Sequence, residues 1–237
     1  MGRAPRERRE APDFGYECER PLRPGRSKGM AMIDVYTADT PNGVKIPIAL
    51  EEIGAPYRIV RVNLSAQEQK REEFLALNPN GRIPAIVDHE GATAAPITVF
   101  ESGAILLYLA EKFGRLLPTD PQGRINAIAW TFFQVSGVGP MFGQAGFWRR
   151  RKEAVPAAIE RYEQESARLV SVLERPLRDT AFLAGDEVSI ADIAQFGWID
   201  VAEGYAGVDL STAPSVVRWR ETLRTRPAFQ RGLAALR

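Results

Sequence analysis

The feature that most constrains this 237-residue sequence is a change of period near residue 113. Before it, short β-type segments alternate with helix-type ones; after it, only helical spacing remains. Residues 33–36 (Ile-Asp-Val-Tyr) read as a strand and 37–43 as a loop. Residues 44–53 read as a helix with Ile46, Ala49, Leu50 and Ile53 on one face, stopped by Gly54. Pro47 is tolerable there only in or near the first turn, where few backbone donors are lost. A second strand follows at 57–62. Strand, helix and strand in so short a span make a βαβ unit, which calls for parallel strands and a right-handed crossover.

A short helix at 70–77 is ended by Asn78-Pro79-Asn80-Gly81, and 83–87 opens a third strand. Turn residues 88–91 lead to a fourth strand at 97–100, placed to pair with the third as a hairpin. Residues 101–113 read as the next helix, with Ile105, Leu106, Leu109 and Ala110 at helical spacing and Gly114 closing it. The segment 32–113 is thus an α/β unit of order βαβαββα. Residues 114–123, with Pro118 and Pro121, read as a linker, and 124–237 as an all-α domain. Within it 124–133 begins a helix, Ile159, Tyr162, Ser166, Leu169, Leu173 and Leu177 mark another, and 214–226 reads as the last. Ser189 and Asp192 have the spacing of a helix-capping pair.

Absences narrow the chemistry. Cys18 is the only cysteine and His89 the only histidine, so an intramolecular disulfide, a multi-Cys/His metal site and a Ser-His-Asp triad that does not use His89 are all excluded. Residues 1–31 carry eight Arg or Lys, five Asp or Glu and four Pro with hardly any apolar periodicity, and are expected to be a disordered arm in which Cys18 is an incidental thiol. Met30 and Met32 raise the alternative that translation begins there. Lys plus Arg number 31 against 30 for Asp plus Glu, so no overall field favours nucleic acid as a partner. No apolar run approaches the length that spans a bilayer, and no signal peptide is evident, so the expectation is a cytoplasmic protein without a membrane partner.

Three segments at element ends carry the functional argument. Thr40-Pro41-Asn42-Gly43 lies between the first strand and first helix, at the carboxyl end of a sheet strand, where a helix N-terminus favours anions. Thr40 and Asn42 read there either as donors to an anion or as ordinary helix caps. Asn80-Gly81-Arg82-Ile83-Pro84 enters a strand through an Ile-Pro bond; were Pro84 cis, Ile83 could present its backbone to an extended peptide. At Phe100-Glu101-Ser102-Gly103 a strand becomes a helix. Ser102 can meet a carboxylate and Glu101 an ammonium, a pair that suits the α-amino acid end of a peptide; a plain helix start is the other reading.

Taken together, these segments resemble the glutathione S-transferase superfamily from about residue 32 to the C-terminus. Asn-x-x-x-Ile-Pro-Ala-Ile stands before the third strand, Glu-Ser-Gly-Ala-Ile at the third helix, and Ser-Ile-Ala-Asp-Ile in the helical domain. Ile33-Asp34-Val35-Tyr36, Thr40-Pro41-Asn42-Gly43, Ile83 to His89, Gln134-Val135, Gly139-Pro140-Met141 and Ile159-Glu160-Arg161-Tyr162 are similar to the bacterial Nu class, whose members are similar to glutathione-dependent disulfide-bond oxidoreductases. The resemblance implies a glutathione transferase fold, a thioredoxin-like domain followed by an all-α one, and glutathione as co-substrate, with two molecules or glutathione disulfide per site and no metal. It implies that Thr40 and Asn42 face the glutathione sulfur, that Gln69 and backbone Ile83 hold the middle of the tripeptide, that Glu101 and Ser102 take the γ-glutamyl end, and that Arg161 reaches in from the helical domain. A small disulfide or electrophile as second substrate and a homodimer are further implications. A non-catalytic glutathione-binding or regulatory protein of the same fold is the alternative. Because no cysteine lies in the folded part, the reactive sulfur must come from the ligand, with Thr40 a hydrogen-bond donor and not a base; Tyr36, inside the first strand, is expected to pack.

Overall fold

In a computed structural model, residues 33–91 and 95–237 are described. The first half forms a four-stranded sheet in the order β2-β1-β3-β4. Strands β1 (Ile33–Thr37) and β2 (Tyr57–Arg61) pair in parallel across helix α1 (Lys45–Ile53), as the crossover argument requires. Strands β3 (Ala85–Asp88) and β4 (Ile97–Phe100) form the expected antiparallel hairpin, and β3 also runs antiparallel to β1. A 3₁₀ turn (Glu68–Lys70) and helix α2 (Glu72–Leu77) fill the segment between β2 and β3, and α3 (Ser102–Phe113) completes the domain. Pro47 occupies the third position of α1, inside the first turn.

Alternation along the strands sorts side chains to two faces. Ile33, Val35 and Ile86 join the large core shared with α1, α3 and the helical domain, where Phe196, Trp219 and Phe229 are buried. Tyr36, Ala85 and Val87 face a smaller cluster with Val60, Phe74 and Leu77. Tyr36 is 3% exposed and packs, as its strand position predicts. The single histidine, His89, places Nε2 2.9 Å from Asp34 Oδ2, a carboxylate also held by the Arg58 fork at 2.8 and 2.6 Å. That cluster is structural.

The second half is helical, with several departures from the sequence expectation. Helix α4 (Pro121–Phe133) starts three residues before the expected position, because Asp120 accepts from the Gly123 N–H at 2.7 Å and Pro121 suits a first helical turn. A π-helical turn (Gln134–Val138) then leads directly into α5 (Gly139–Arg149), a helix that its Gly-rich, weakly periodic sequence had hidden. Helix α6 spans Pro156–Leu177 and α7 Ile190–Asp200. A second π turn (Ala202–Ala206) follows, then α8 (Pro214–Thr225), and α9 (Pro227–Ala234) extends the chain beyond the helix expected to be last. Pro227 explains that break: it ends α8 and opens α9. Helix α9 docks on α1 so closely that a Cβ at Gly232 would lie 2.7 Å from Ile48 Cα. No described helix is long and apolar enough to cross a membrane. The expectations for residues 1–32, including Cys18 and the alternative start, lie outside the described residues.

Candidate active site

The loop after β1 is closed by its own threonine hydroxyls. Thr37 Oγ1 donates to the Gly43 carbonyl at 3.0 Å, and a Cβ at Gly43 would sit 1.9 Å from the Ala38 carbonyl oxygen, so only glycine fits. Thr40 caps the turn that runs into α1: its carbonyl accepts from Val44 N–H and its hydroxyl oxygen from Gly43 N–H, both at 3.0 Å. The hydroxyl has thereby used an acceptor site and keeps its proton to donate. Asn42 reaches the other domain, where its Oδ1 accepts from the Trp198 indole at 3.0 Å. An indole N–H donates only, so the amide oxygen must face Trp198, leaving Nδ2 as the outward donor. Helix α7 can approach this closely because residue 197 is glycine; a Cβ there would lie 2.5 Å from the Pro41 carbonyl oxygen.

The Ile83–Pro84 bond is cis. The β3 ladder begins at Ala85, so Ile83 lies outside it. Beside it the 3₁₀ turn carries Gln69, whose Oε1 is buried without a hydrogen-bond partner among the described residues. Gly81 packs against the Gln69 carbonyl oxygen, at 2.9 Å from its ideal Cβ, and Asn80 Nδ2 donates to Glu101 Oε1 at 3.5 Å. The second and third candidate segments therefore meet.

Glu101 stands at φ +69° before α3, a conformation that L-residues adopt rarely and that concentrates at functional sites. Its carbonyl accepts from Ile105 N–H at 2.9 Å. Ser102 then opens the helix, among N–H groups that have no intrahelical partner. Its hydroxyl oxygen accepts from Lys45 Nζ at 3.1 Å, and the same ammonium donates to Gln134 Oε1 at 2.5 Å. Burial holds Lys45 down to about pKa 7, with Glu101 opposing that shift. Lys45, Gln134 and Trp198 were not singled out as site residues from sequence. Lys45 had a signal, being a cation in the first turn of an apolar helix, where the macrodipole disfavours it. Trp198 had none, since 156 residues separate it from Asn42.

Thr40, Asn42, Gln69, Ile83, Glu101 and Ser102 thus lie on the carboxyl side of the sheet and on the helix starts beside it. Arg161 is exposed on α6, where its charge acts on Glu165 one turn along. The arrangement offers donors and backbone but no cysteine among the described residues, so it can bind and polarise a ligand's sulfur and supplies no protein thiol.

A thioredoxin-like sheet with a cis-proline turn, joined to a helical domain that orients its loop, defines the glutathione transferase fold. The glutathione S-transferase N-terminal domain profile matches residues 32–111 and the C-terminal domain profile residues 138–227. The chain belongs to the glutathione S-transferase family. It is 46% identical over 204 residues to the Escherichia coli disulfide-bond oxidoreductase YfcG, covering 85% of this chain and 94% of that one. A Burkholderia graminis glutathione transferase crystallised with two glutathione molecules per subunit superposes with a TM-score of 0.81 at 43% identity, over 85% of this chain and 87% of that one. A Pseudomonas putida glutathione transferase with one glutathione disulfide per subunit gives 0.80 at 40% identity, over 85% and 90%.

Proposed function

We propose that this chain is a Nu-class-like, glutathione-dependent disulfide-bond oxidoreductase that works with a thiolate supplied by its ligand. One observation carries the reading: Thr40 and Asn42 each have an acceptor occupied inside the protein, which leaves their donor halves for an anion. Two neutral donors near a helix start favour a thiolate over a thiol whose ordinary pKa is near 8.5, without removing its proton themselves. Gln69 and Ile83 hold the middle of the tripeptide and Glu101 with Ser102 its γ-glutamyl end. Arg161 takes the carboxylate of a second glutathione.

In the proposed cycle the bound thiolate attacks one sulfur of a small disulfide, forming a mixed disulfide and releasing the other sulfur as a thiolate that takes up a proton from solvent. A second glutathione thiolate attacks the glutathione sulfur of that intermediate, releasing the second thiol and leaving glutathione disulfide. Two glutathiones are oxidised as one disulfide is reduced. We further propose that two copies pair through the exposed edge strand β4 and helix α4.

The test is glutathione-dependent reduction of hydroxyethyl disulfide, run beside conjugation to an aryl halide. Thr40→Ala and Asn42→Ala are each expected to lower kcat/KM for the disulfide about tenfold, the effect of losing one hydrogen bond to a charged group. Full activity in both variants would remove the thiolate site. No glutathione binding by calorimetry at millimolar ligand would defeat the enzyme reading.

A further inference from the structure

Lys45 is 0% exposed, and its hydrogen-bond partners, Ser102 Oγ and Gln134 Oε1, are both neutral. An ammonium has three protons to donate, and a buried cation without a bonded counter-charge is costly. The charged and titratable groups of the surrounding elements are committed elsewhere. On α1 itself, Glu51 bonds Arg231 of α9 and Glu52 bonds Arg226. On α3, Tyr108 and Lys112 both turn to Asp88 of β3, and Glu111 pairs with Arg124. On α7, Asp192 accepts from Leu183, Ser189 and Trp219, while Asp200 pairs with Arg224. Among the described residues Glu101 alone acts on Lys45 by charge, through space and without a hydrogen bond. Gln134 reaches the ammonium from the π turn, a distortion that often marks functional positions, so the contact joins the two domains directly under the start of α3.

We propose that Lys45 is the buried counter-charge for the ligand's α-carboxylate, acting through the Ser102 hydroxyl, and that ligand binding draws a proton onto it. The proposal rests on the glutathione reading of the site. Ser102 Oγ accepts from the ammonium and so presents its own O–H to a carboxylate arriving among the free N–H groups of α3. The carboxylate supplies the negative charge that Ser102 and Gln134 lack, and it stabilises the ammonium over the amine. Above about pH 7, where the unliganded side chain is largely neutral, binding then takes a proton from the buffer. The sign follows: affinity is fully present below pH 7 and falls as pH rises towards the higher pKa of the complex.

Calorimetric titration with S-methylglutathione tests this, because that ligand has the carboxylates but no thiol proton. Buffers of different ionisation enthalpy count the protons exchanged. Wild type is expected to take up about one proton per site near pH 8 and close to none at pH 6. Lys45→Met, near in length and apolar, should keep the fold, bind at least about tenfold more weakly at pH 6 and exchange no proton at either pH. Gln134→Met removes an acceptor of the ammonium, so its uptake should begin at lower pH than in wild type. Wild-type binding without uptake at pH 8 would overturn the proposal alone, as would a Lys45→Met variant with unaltered affinity and uptake. Should Lys45→Met fail to fold, an unmoved midpoint in Gln134→Met overturns it. Failure of wild type to bind either glutathione or its S-methyl form would overturn this proposal together with the glutathione reading.

Discussion

An indole nitrogen can only donate, so the Trp198–Asn42 hydrogen bond has one possible sense, and the orientation of the Asn42 amide follows from it. On the proposed function, Trp198 is accordingly a positioning residue for Asn42 as thiolate donor. Trp198→Phe keeps the aromatic body, which is 7% exposed, and removes only the N–H. The expected result is a several-fold loss in disulfide turnover, about 1 kcal/mol of stability, and an upward shift in the pKa of bound glutathione read by thiolate ultraviolet absorbance. An unmoved thiol titration would leave Trp198 a packing role only. Thr40 and Asn42 could be named from sequence as residues at a strand-to-helix loop, but not which half of each group is free. That depends on Gly43 and Trp198, one local and one remote.

Helix α7 shows how one element can serve stability and the site together. Ser189 accepts from Ala191 N–H at 3.2 Å, while the fully buried Asp192 returns to Ser189 N–H at 2.9 Å, so the capping pair expected from the spacing forms. Asp192 does more than cap: it accepts from Leu183 N–H at 3.0 Å and the Trp219 indole at 2.8 Å. Burial pushes its carboxyl up in pKa, and these donors push it back. Ser189→Ala should cost about 1 kcal/mol. Asp192→Ala, which leaves several buried donors without an acceptor, should cost about 3 kcal/mol or more in denaturant unfolding. If the two variants cost the same, the wider role of Asp192 is wrong. Because α7 also carries Gly197 and Trp198 to the Pro41–Asn42 loop, loosening its start should weaken glutathione binding too.

At the scale of the whole molecule, β4 exposes Ile97 and Phe100, each at 38%, and α4 exposes Ile125 at 55% and Phe132 at 63%. Large apolar side chains left in water on two elements that both pack against α3 favour a second copy as their cover. Sedimentation is expected to give a dimer for wild type and a monomer for Phe132→Glu; a wild-type monomer at micromolar concentration would end that proposal. The alternation of strands and helices before residue 113, the hairpin, the capping pair and the three loop segments were determined by the sequence itself, because turn chemistry, periodicity and backbone restriction act over a few residues. Helix α5 escaped because Gly139, Gly143 and Gly146 blunt its pattern, and α9 because Pro227 marks the end of one helix and the start of another. Tertiary structure alone decided the rest of the site. A cation at the start of α1 became a buried ammonium under Ser102 only when α3 and the π turn of the other domain closed over it. Desolvation and hydrogen-bond direction are set by neighbours distant in the chain, and no local pattern encodes them.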